Sequence, residues 1–534
     1  MVARKKKDGA EEKARGRPPR RAAAKGKGCP ALIAGIDVGS TALRMKVAEL
    51  VEDGEPRIIE DLSYPASTGA DTFSHGYILP GTFHAIIRVI EDFLHLLDGY
   101  GDVARRAVSS ASIREAANCE ILTDRIRHES GLELEILDTV EESRLVYQAL
   151  LPWLRQNPGA YSLALNLGGG STEIMLLRGE DLQVGGTRRL GTSRLFHAVG
   201  RGARQINSDI LKLVTASIVN STRDVYQEYH AARFLLVNRM LYRAFRNDPL
   251  ASRNENDFVI PAEPLREKLK DAYTLGNLEL GEHFNMGLAD IELLVPAMLI
   301  LDCFLETSEV KEVTFTNTEM LMGLLREMVL SAGGENPLLS FQRQIVRSAR
   351  AIGEKFEYDR AHARIVTEFS LLIFDSLSAL LDLDVQDRLI LEVSAVLHDI
   401  GMYVSEVHHH RHGAYLVRWA DIVGLSEADR MLAAQVVYFH RKEIPSSRHP
   451  EFMALPYAGR MRVRKLAAIL RLADALDRGH RQNIKNLRVE IAGAKLLLYF
   501  QTAGDLGIVA DAMPKKANLL EMVAGLEIVL RREM

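Results

Sequence analysis

Apolar and polar positions alternate along the first third of this chain in a way that repeats. Ile33 to Val38 is an apolar run carrying one acid, Asp37, and it passes through Gly39-Ser40-Thr41 into a second apolar alternation, Arg44 to Leu50. Leu163 to Leu167 does the same, carrying Asn166 and passing through Gly168-Gly169-Gly170-Ser171-Thr172 to Glu173. Both read as strand, tight turn, strand. Between them, Thr82 to Leu97 places Phe83, Ile86, Ile87, Ile90, Phe93, Leu94 and Leu97 at helical spacing, so a helix should cover a sheet face. Asp102 to Ser110 and Leu134 to Leu137 read as strands, and Val140 to Leu151 as a helix with Glu141 and Glu142 in its first turn. Further on, the pattern predicts long amphipathic helices over 206–245 and a helix over Asp290 to Leu301. A strand at Val313 to Asn317 should return to the first half, with a closing helix at Gly323 to Leu330. From Leu338 the chain is strongly helical. A hairpin follows at Leu487 to Ile491 and Lys495 to Phe500, then a final helix from Lys516 to Leu530.

The two glycine-rich turns carry the candidate chemistry. A strand that ends in glycines and hydroxyls leaves amide N–H groups uncovered, and glycine, which takes positive φ cheaply, lets an anion come close. A single such turn is ordinarily only a turn. Two of them suggest duplicated halves that face each other across a cleft and present amides and hydroxyls to one phosphate.

Paired hairpins of this kind resemble the superfamily of actin, hexokinase and the heat-shock chaperones. Together with Ser110 to Asn118 and the pair Glu141-Glu142, they resemble the exopolyphosphatase and guanosine pentaphosphate phosphohydrolase family, from about residue 31 to the C-terminus. The resemblance implies an α/β fold: two actin-like (ribonuclease H-like) α/β domains flanking a cleft, over residues 30–139 and 140–332 with a return near 311–330. It also implies release of terminal phosphate from inorganic polyphosphate or guanosine pentaphosphate by attack of water, in the bacterial cytoplasm, as part of the stringent response. Phosphate would be held by Gly39, Ser40, Thr41, Arg114, Gly168, Gly169, Gly170, Ser171 and Thr172. Mg2+ would be held by Asp37, Asn166 and Glu173. Glu141 would be the general base, with Glu142 as the second choice, and the enzyme would be a homodimer.

Asn166 stands where relatives have an aspartate, Thr41-Ala42 where they usually have Asn-Ser, and Leu321-Met322 where they usually have Arg-Glu. An amide keeps a carbonyl ligand but loses the charge that magnesium favours. These departures leave open a weakened hydrolase or a non-catalytic sensor that binds polyphosphate or guanosine polyphosphates.

In the C-terminal half, His362, His398-Asp399, His412, His440 and Asp474 resemble the ligands of the HD superfamily of metal-dependent phosphohydrolases. This implies an all-α HD-type domain at 335–486, followed by a small α/β cap at 487–534. Imidazole and carboxylate together suit a divalent metal bridging a phosphate and a water. A hydrolase working through that site, with a regulatory front half, is the third reading.

Composition narrows the setting. At 534 residues the chain should form about three or four domains. Cys29, Cys119 and Cys303 have no ligand or disulfide spacing, which suits a reducing cytoplasm, and no apolar run is long enough for a membrane span. The formal net charge is −4, yet residues 1–28 carry +8, leaving −12 for the rest. Such a tail cannot bury a core and should be disordered. Its segment Arg15-Gly16-Arg17-Pro18 resembles a minor-groove AT-hook, so weak nucleic-acid contact is the alternative to a merely solubilising tail.

Overall fold

The computed structural model describes residues 32–51, 55–198, 213, 215–217, 219–220, 231–254, 256–272, 274–333, 338–420, 422–502 and 507–533. The basic tail, its Arg-Gly-Arg-Pro segment, Cys29 and most of the helical stretch expected over 206–230 lie outside the described residues.

Strands β1 (Leu32–Val38) and β2 (Ala42–Glu49) form the first hairpin, with Asp37 opposite Arg44. With β3 (Arg57–Pro65), β4 (Val103–Ser109) and β5 (Leu134–Ile136) they make a sheet ordered β3-β2-β1-β4-β5. Helix α1 (Thr68–His75) follows β3. Helix α2 (Pro80–Asp98) lays Ile86, Ile87, Ile90, Phe93 and Leu97 against Ala34, Ile36 and Val38 of β1, as the 3.6-residue spacing predicts. A short helix α3 (Ala111–Arg114) ends β4. Helix α4 (Thr139–Gln156) starts at Asp138, whose carboxylate accepts the N–H groups of Val140 and Glu141, each at 2.8 Å.

The second sheet repeats the plan. Strands β6 (Tyr161–Leu167), β7 (Thr172–Arg178) and β8 (Asp181–Arg188) form an antiparallel meander. Strand β9 (Arg233–Val237) runs parallel to β6 and is followed by helix α5 (Arg239–Phe245). With β10 (Ser252–Arg253), β11 (Asp257–Pro261) and β12 (Glu312–Thr316) the order is β10-β11-β12-β9-β6-β7-β8. Helix α6 (Leu288–Thr307) covers it and is buried along most of its C-terminal part.

Two expectations fail here. Residues 233–237 are a buried strand rather than part of a helix, because the uninterrupted run Phe234 to Val237 completes the sheet between β6 and β12. Strand β12 stays within the second sheet; the chain crosses back only with helix α7 (Met320–Ala332), which packs on α4 and β1. Gly323 permits this crossing, since a Cβ there would lie 1.8 Å from the Leu145 carbonyl oxygen.

Behind the second sheet lie helices α8 (Leu338–Lys355), α9 (Arg360–Leu381), α10 (Val385–Leu397), α11 (His409–Trp419), α12 (Glu427–Phe439) and α13 (Tyr457–Leu476). The hairpin of β13 (Ile484–Ala492) and β14 (Lys495–Thr502) follows, then helix α14 (Gly507–Ala524) and strand β15 (Glu527–Arg532), parallel to β14. The single helix expected from Lys516 to Leu530 therefore breaks. Gly525, at φ +68°, ends it, and Ile528 to Leu530 join the sheet. One buried cluster runs from Tyr147 and Leu177 through Phe341, Phe369 and Leu470 to Phe500 and Leu520, so the second sheet, the helices and the cap share a core.

Candidate active site

The two glycine turns meet. Gly39 N–H donates to the Ala42 carbonyl at 3.0 Å and Gly168 N–H to the Ser171 carbonyl at 2.9 Å, closing both hairpins alike. A Cβ on Gly169 would lie 2.7 Å from Ser40 Cβ, and one on Gly170 would lie 2.7 Å from Ala111 Cβ. None of Gly39, Gly168, Gly169 or Gly170 has positive φ. This corrects the conformational argument: glycine is required here by close approach of the two halves. Gly191 tightens the same junction, since a Cβ there would lie 2.4 Å from the Gly169 carbonyl oxygen. The halves are also held by Arg194, which donates to Glu115 at 2.6 Å and lies 4.3 Å from the Phe73 ring centroid. Thr68 ties α1 to the first loop through a 2.7 Å hydrogen bond to the Gly39 carbonyl.

Three carboxylates converge on this junction. Asp37, at the end of β1, is 6 % exposed; its Oδ2 accepts from Arg44 at 3.4 Å, while its Oδ1 is buried without a partner. Burial lifts its pKa to about 6, against the pull of Arg44 and with help from Glu319. Glu142 is 7 % exposed and pairs with Arg114 at 3.4 Å. Burial, then repulsion from Glu173, pushes its pKa up to about 8; Arg114 opposes this, and Asp37 adds to it. Glu173 is 1 % exposed, and burial raises its pKa too, although Ser171 Oγ at 2.9 Å and Asn166 Nδ2 at 2.5 Å donate to its two oxygens.

Several residues stand elsewhere than expected. Glu141, the first choice for general base, faces away from the junction. One residue step along α4 turns its side chain out, where it pairs with Arg144 at 2.6 Å, is 41 % exposed, and lines a separate cavity of about 220 Å³ with Asp138, Phe341 and Leu389. Glu142 occupies the junction instead. Thr172 is not free for phosphate, because its hydroxyl donates to the Leu190 carbonyl. The amide of Asn166 is turned to Glu173 as a donor. Arg114 also donates to the Leu137 carbonyl, which fixes it beside Glu142. Ser40 and Ser171 are buried at the junction and Thr41 is half-buried. The sequence reading missed Arg44; the two-residue periodicity of a strand opposite Asp37 would have found it.

The second cluster lies among the rear helices. His362 Nε2 is 3.2 Å from His398 Nε2, 3.6 Å from Asp474 Oδ1 and 3.8 Å from Asp399 Oδ2. Asp399 Oδ1 is 3.3 Å from His409 Nε2 and 3.5 Å from His440 Nε2. Among the described residues, the sets of three His, Cys, Asp or Glu ligand atoms lying within 4.8 Å of one another are all here: His362–His398–Asp474, His362–Asp399–His480 and Asp399–His409–His440. His412 belongs to none of them and is replaced by His409. Helix α11 begins at His409 after a left-handed His408 (φ 60°), which turns the first-turn histidine inward. The second nitrogen of each ring is anchored: His398 Nδ1 to the Ala395 carbonyl at 2.8 Å, His440 Nδ1 to the Val437 carbonyl at 2.6 Å, His409 Nδ1 to the Glu406 carbonyl at 3.1 Å, and His362 Nδ1 to Asp477 at 2.9 Å. Anchored Nδ1 atoms with converging Nε2 atoms are the outer-shell arrangement of metal-binding histidines. Asp399 and Asp474 are held well below the usual carboxylate range; burial opposes this, but His398 outweighs it at Asp399 and Lys516 at Asp474. Burial likewise works against charge on His362, yet Asp474 and Asp477 raise its pKa to about 9.

Comparison with known proteins agrees with this division. The family model described as "Ppx/GppA phosphatase family" matches residues 51–332, and "Ppx/GppA phosphatase, domain III" matches residues 345–503. A guanosine-5'-triphosphate,3'-diphosphate pyrophosphatase of Pseudoalteromonas atlantica is 23% identical over 476 residues, which cover 85% of this chain and 88% of that one. Exopolyphosphatase 1 of Mycobacterium tuberculosis is 29% identical over 160 residues, 30% of this chain and 46% of that one. An exopolyphosphatase structure from Cytophaga hutchinsonii superimposes with a TM-score of 0.51 at 16% identity, over 57% of this chain and 99% of that one, which shows a shared fold. No helix among the described residues is long and apolar enough to cross a membrane.

Proposed function

This chain belongs to the Ppx/GppA phosphatase family, and from that premise we propose that it is a phosphohydrolase releasing terminal phosphate from inorganic polyphosphate or guanosine pentaphosphate. The observation that carries the reading is the meeting of the Gly39–Thr41 and Gly168–Ser171 loops beside three buried carboxylates of raised pKa. Crowded acids with too few cations suit a site that takes up a proton or a positive charge during turnover.

Glu142 acts as the general base. Its pKa of about 8 lies near the working pH, where a base combines a usable unprotonated fraction with real proton affinity. It takes a proton from water, whose oxygen attacks the terminal phosphorus. The bond from that phosphorus to the bridging oxygen breaks, and the shortened chain leaves with the negative charge. Arg114 holds Glu142 on one side and meets phosphate on the other, and the loop amides other than those of Gly39 and Gly168, which close the hairpins, stabilise the charge that builds on the phosphoryl oxygens. The loops touch, so substrate reaches them only as the halves part. The unpartnered Asp37 Oδ1 fits a cation; bound there with substrate phosphates, Mg2+ would neutralise phosphate charge, and one or two carboxylates are its usual protein share. Glu173, capped by Ser171 and Asn166, is the weaker ligand.

A second reading is favoured by the rear cluster: the helical region is of the HD type, with His362, His398, Asp399, His409, His440 and Asp474 as ligands of a divalent ion. Four anchored imidazoles and two carboxylates fit manganese, iron or zinc. Phosphate release from long-chain polyphosphate and from guanosine pentaphosphate, with Glu142→Gln and Asp399→Ala compared to the native chain, tests the reading. Loss with Glu142→Gln alone supports it. Loss with Asp399→Ala alone moves catalysis to the rear cluster, and binding without release makes the protein a sensor.

A further inference from the structure

Lys516 comes from α14, in the C-terminal cap, and reaches into the rear cluster. Its ammonium pairs with Asp474 Oδ2 and donates to the His440 carbonyl at 3.0 Å; only 7 % of the residue is exposed. Helix α14 packs along α13, which carries Asp474, so the lysine is delivered by the fold rather than by a free surface arm.

The cluster has two halves joined by Asp399. In the half made of His362, His398 and Asp474 the carboxylate already has a cation: Lys516 pairs with Asp474 Oδ2, beside the facing Nε2 atoms of His362 and His398. The half made of Asp399, His409 and His440 differs. His409 and His440 turn their Nε2 atoms toward Asp399 Oδ1 at 3.3 and 3.5 Å, and among the described residues no Lys or Arg pairs with that carboxylate. Arg441 Nη1 lies 3.2 Å from His409 Nδ1 and 3.3 Å from its Nε2, on the imidazole rather than on Asp399 or His440. A carboxylate and two imidazole nitrogens that converge with no Lys or Arg on the carboxylate are a ligand set for a divalent cation.

We propose that Lys516 is a tethered cation that fills the Asp474 half of the cluster, so that the chain binds one divalent ion fewer there than its ligands allow, at Asp399, His409 and His440. The inference rests on the reading of the cluster as a metal site, and it makes the cap part of that site. A bound ion in the Asp474 half would sit beside the ammonium and meet its repulsion; removing the ammonium frees the half for a second ion.

Titration calorimetry with Mn2+ alone on the full chain, with metal content measured after gel filtration, gives the stoichiometry. Native protein is expected to take one ion and Lys516→Met two, the second converting the six-line Mn2+ resonance of an isolated ion into the broadened signal of a coupled pair. Lys516→Gln is the substitute should Lys516→Met not fold. In the native background, His409→Ala is expected to lose the ion and Asp474→Asn to keep it. Equal stoichiometry in native and Lys516→Met, whether one or two, overturns the proposal while leaving the metal site standing. No ion in either overturns the metal reading itself.

Discussion

The front junction and the rear cluster are both buried groups of carboxylates, and their electrostatics are opposite. At the front, Asp37 and Glu142 are lifted to about 6 and about 8, because burial and mutual repulsion exceed what Arg44 and Arg114 return. At the rear, Asp474 is as buried and Asp399 somewhat less so, yet both are held far below the ordinary range, because imidazoles and Lys516 surround them. Burial alone therefore predicts the front and fails at the rear. What differs is the number of positive partners within reach, and this separates carboxylates that hold a proton from carboxylates that keep a fixed negative charge.

The largest expected effect breaks the comparison at the front. Glu142→Gln keeps the size of the side chain and removes the proposed base, so phosphate release should fall about 10²–10⁴-fold, the usual worth of a positioned base. Glu141→Gln, one residue earlier on α4, should stay within about twofold of native, because its carboxylate pairs with Arg144 on the outer side. Initial rates on polyphosphate decide the matter, and a reversal of the two results would return the base to Glu141.

At the rear, Asp399→Ala removes the carboxylate shared by both halves. Mn2+ affinity should drop by at least a hundredfold, more than outer-shell losses produce. The measurement is calorimetric, and unchanged affinity would make the cluster a hydrogen-bonded core.

Much of this was legible in the chain. The repeated apolar run ending in glycine and hydroxyls located both hairpins, and the spacing from Phe83 to Leu97 located the helix that covers β1. Other features depend on contacts that spacing does not carry. Which of Glu141 and Glu142 turns inward is set by the phase of α4, which Asp138 fixes as its cap. Which histidine of the 408–412 run faces Asp399 is set by the left-handed turn at His408. Lys516 arrives from a cap whose packing on α13 has no sequence motif. Phe234 to Val237 was ambiguous for a simpler reason: a short, wholly apolar run fits a buried strand and a buried helix alike.

A smaller effect sharpens the contrast through pH. The folded pKa values of Asp37 and Glu142 are raised, so the folded state binds more protons than the unfolded chain. Their contribution is fully present below the ordinary carboxylate range and is lost as pH rises through about 6 and then about 8. The rear aspartates are depressed, so their contribution is present above the ordinary range and is lost only in strong acid, as pH falls through their folded values. Without substrate or metal, Tm should decline from about pH 5 to about pH 8, and Glu142→Gln should flatten part of that decline and melt several degrees above native at the upper end. Thermal melts across that range give the answer, and parallel profiles for native and Glu142→Gln would mean that the buried glutamate is not proton-loaded.

The smallest effect concerns Asn166. Its amide donates to Glu173 Oε2 at 2.5 Å, so it holds in place a carboxylate that would otherwise repel Glu142 more freely. Asn166→Asp removes that donor and adds a fourth acid to the junction. In the absence of a cation the substitution should lower stability by about 1–3 kcal/mol, the cost of leaving a buried acceptor unsatisfied. With Mg2+ the sign should reverse. A second carboxylate near the cation is worth more than the neutral amide, so half-maximal phosphate release should need several-fold less Mg2+, up to about tenfold, which corresponds to about 1.4 kcal/mol. If the variant melts earlier yet needs as much Mg2+ as native, the cation proposed at Asp37 would lie beyond the reach of position 166 and would be held by Asp37 and the substrate's own phosphates.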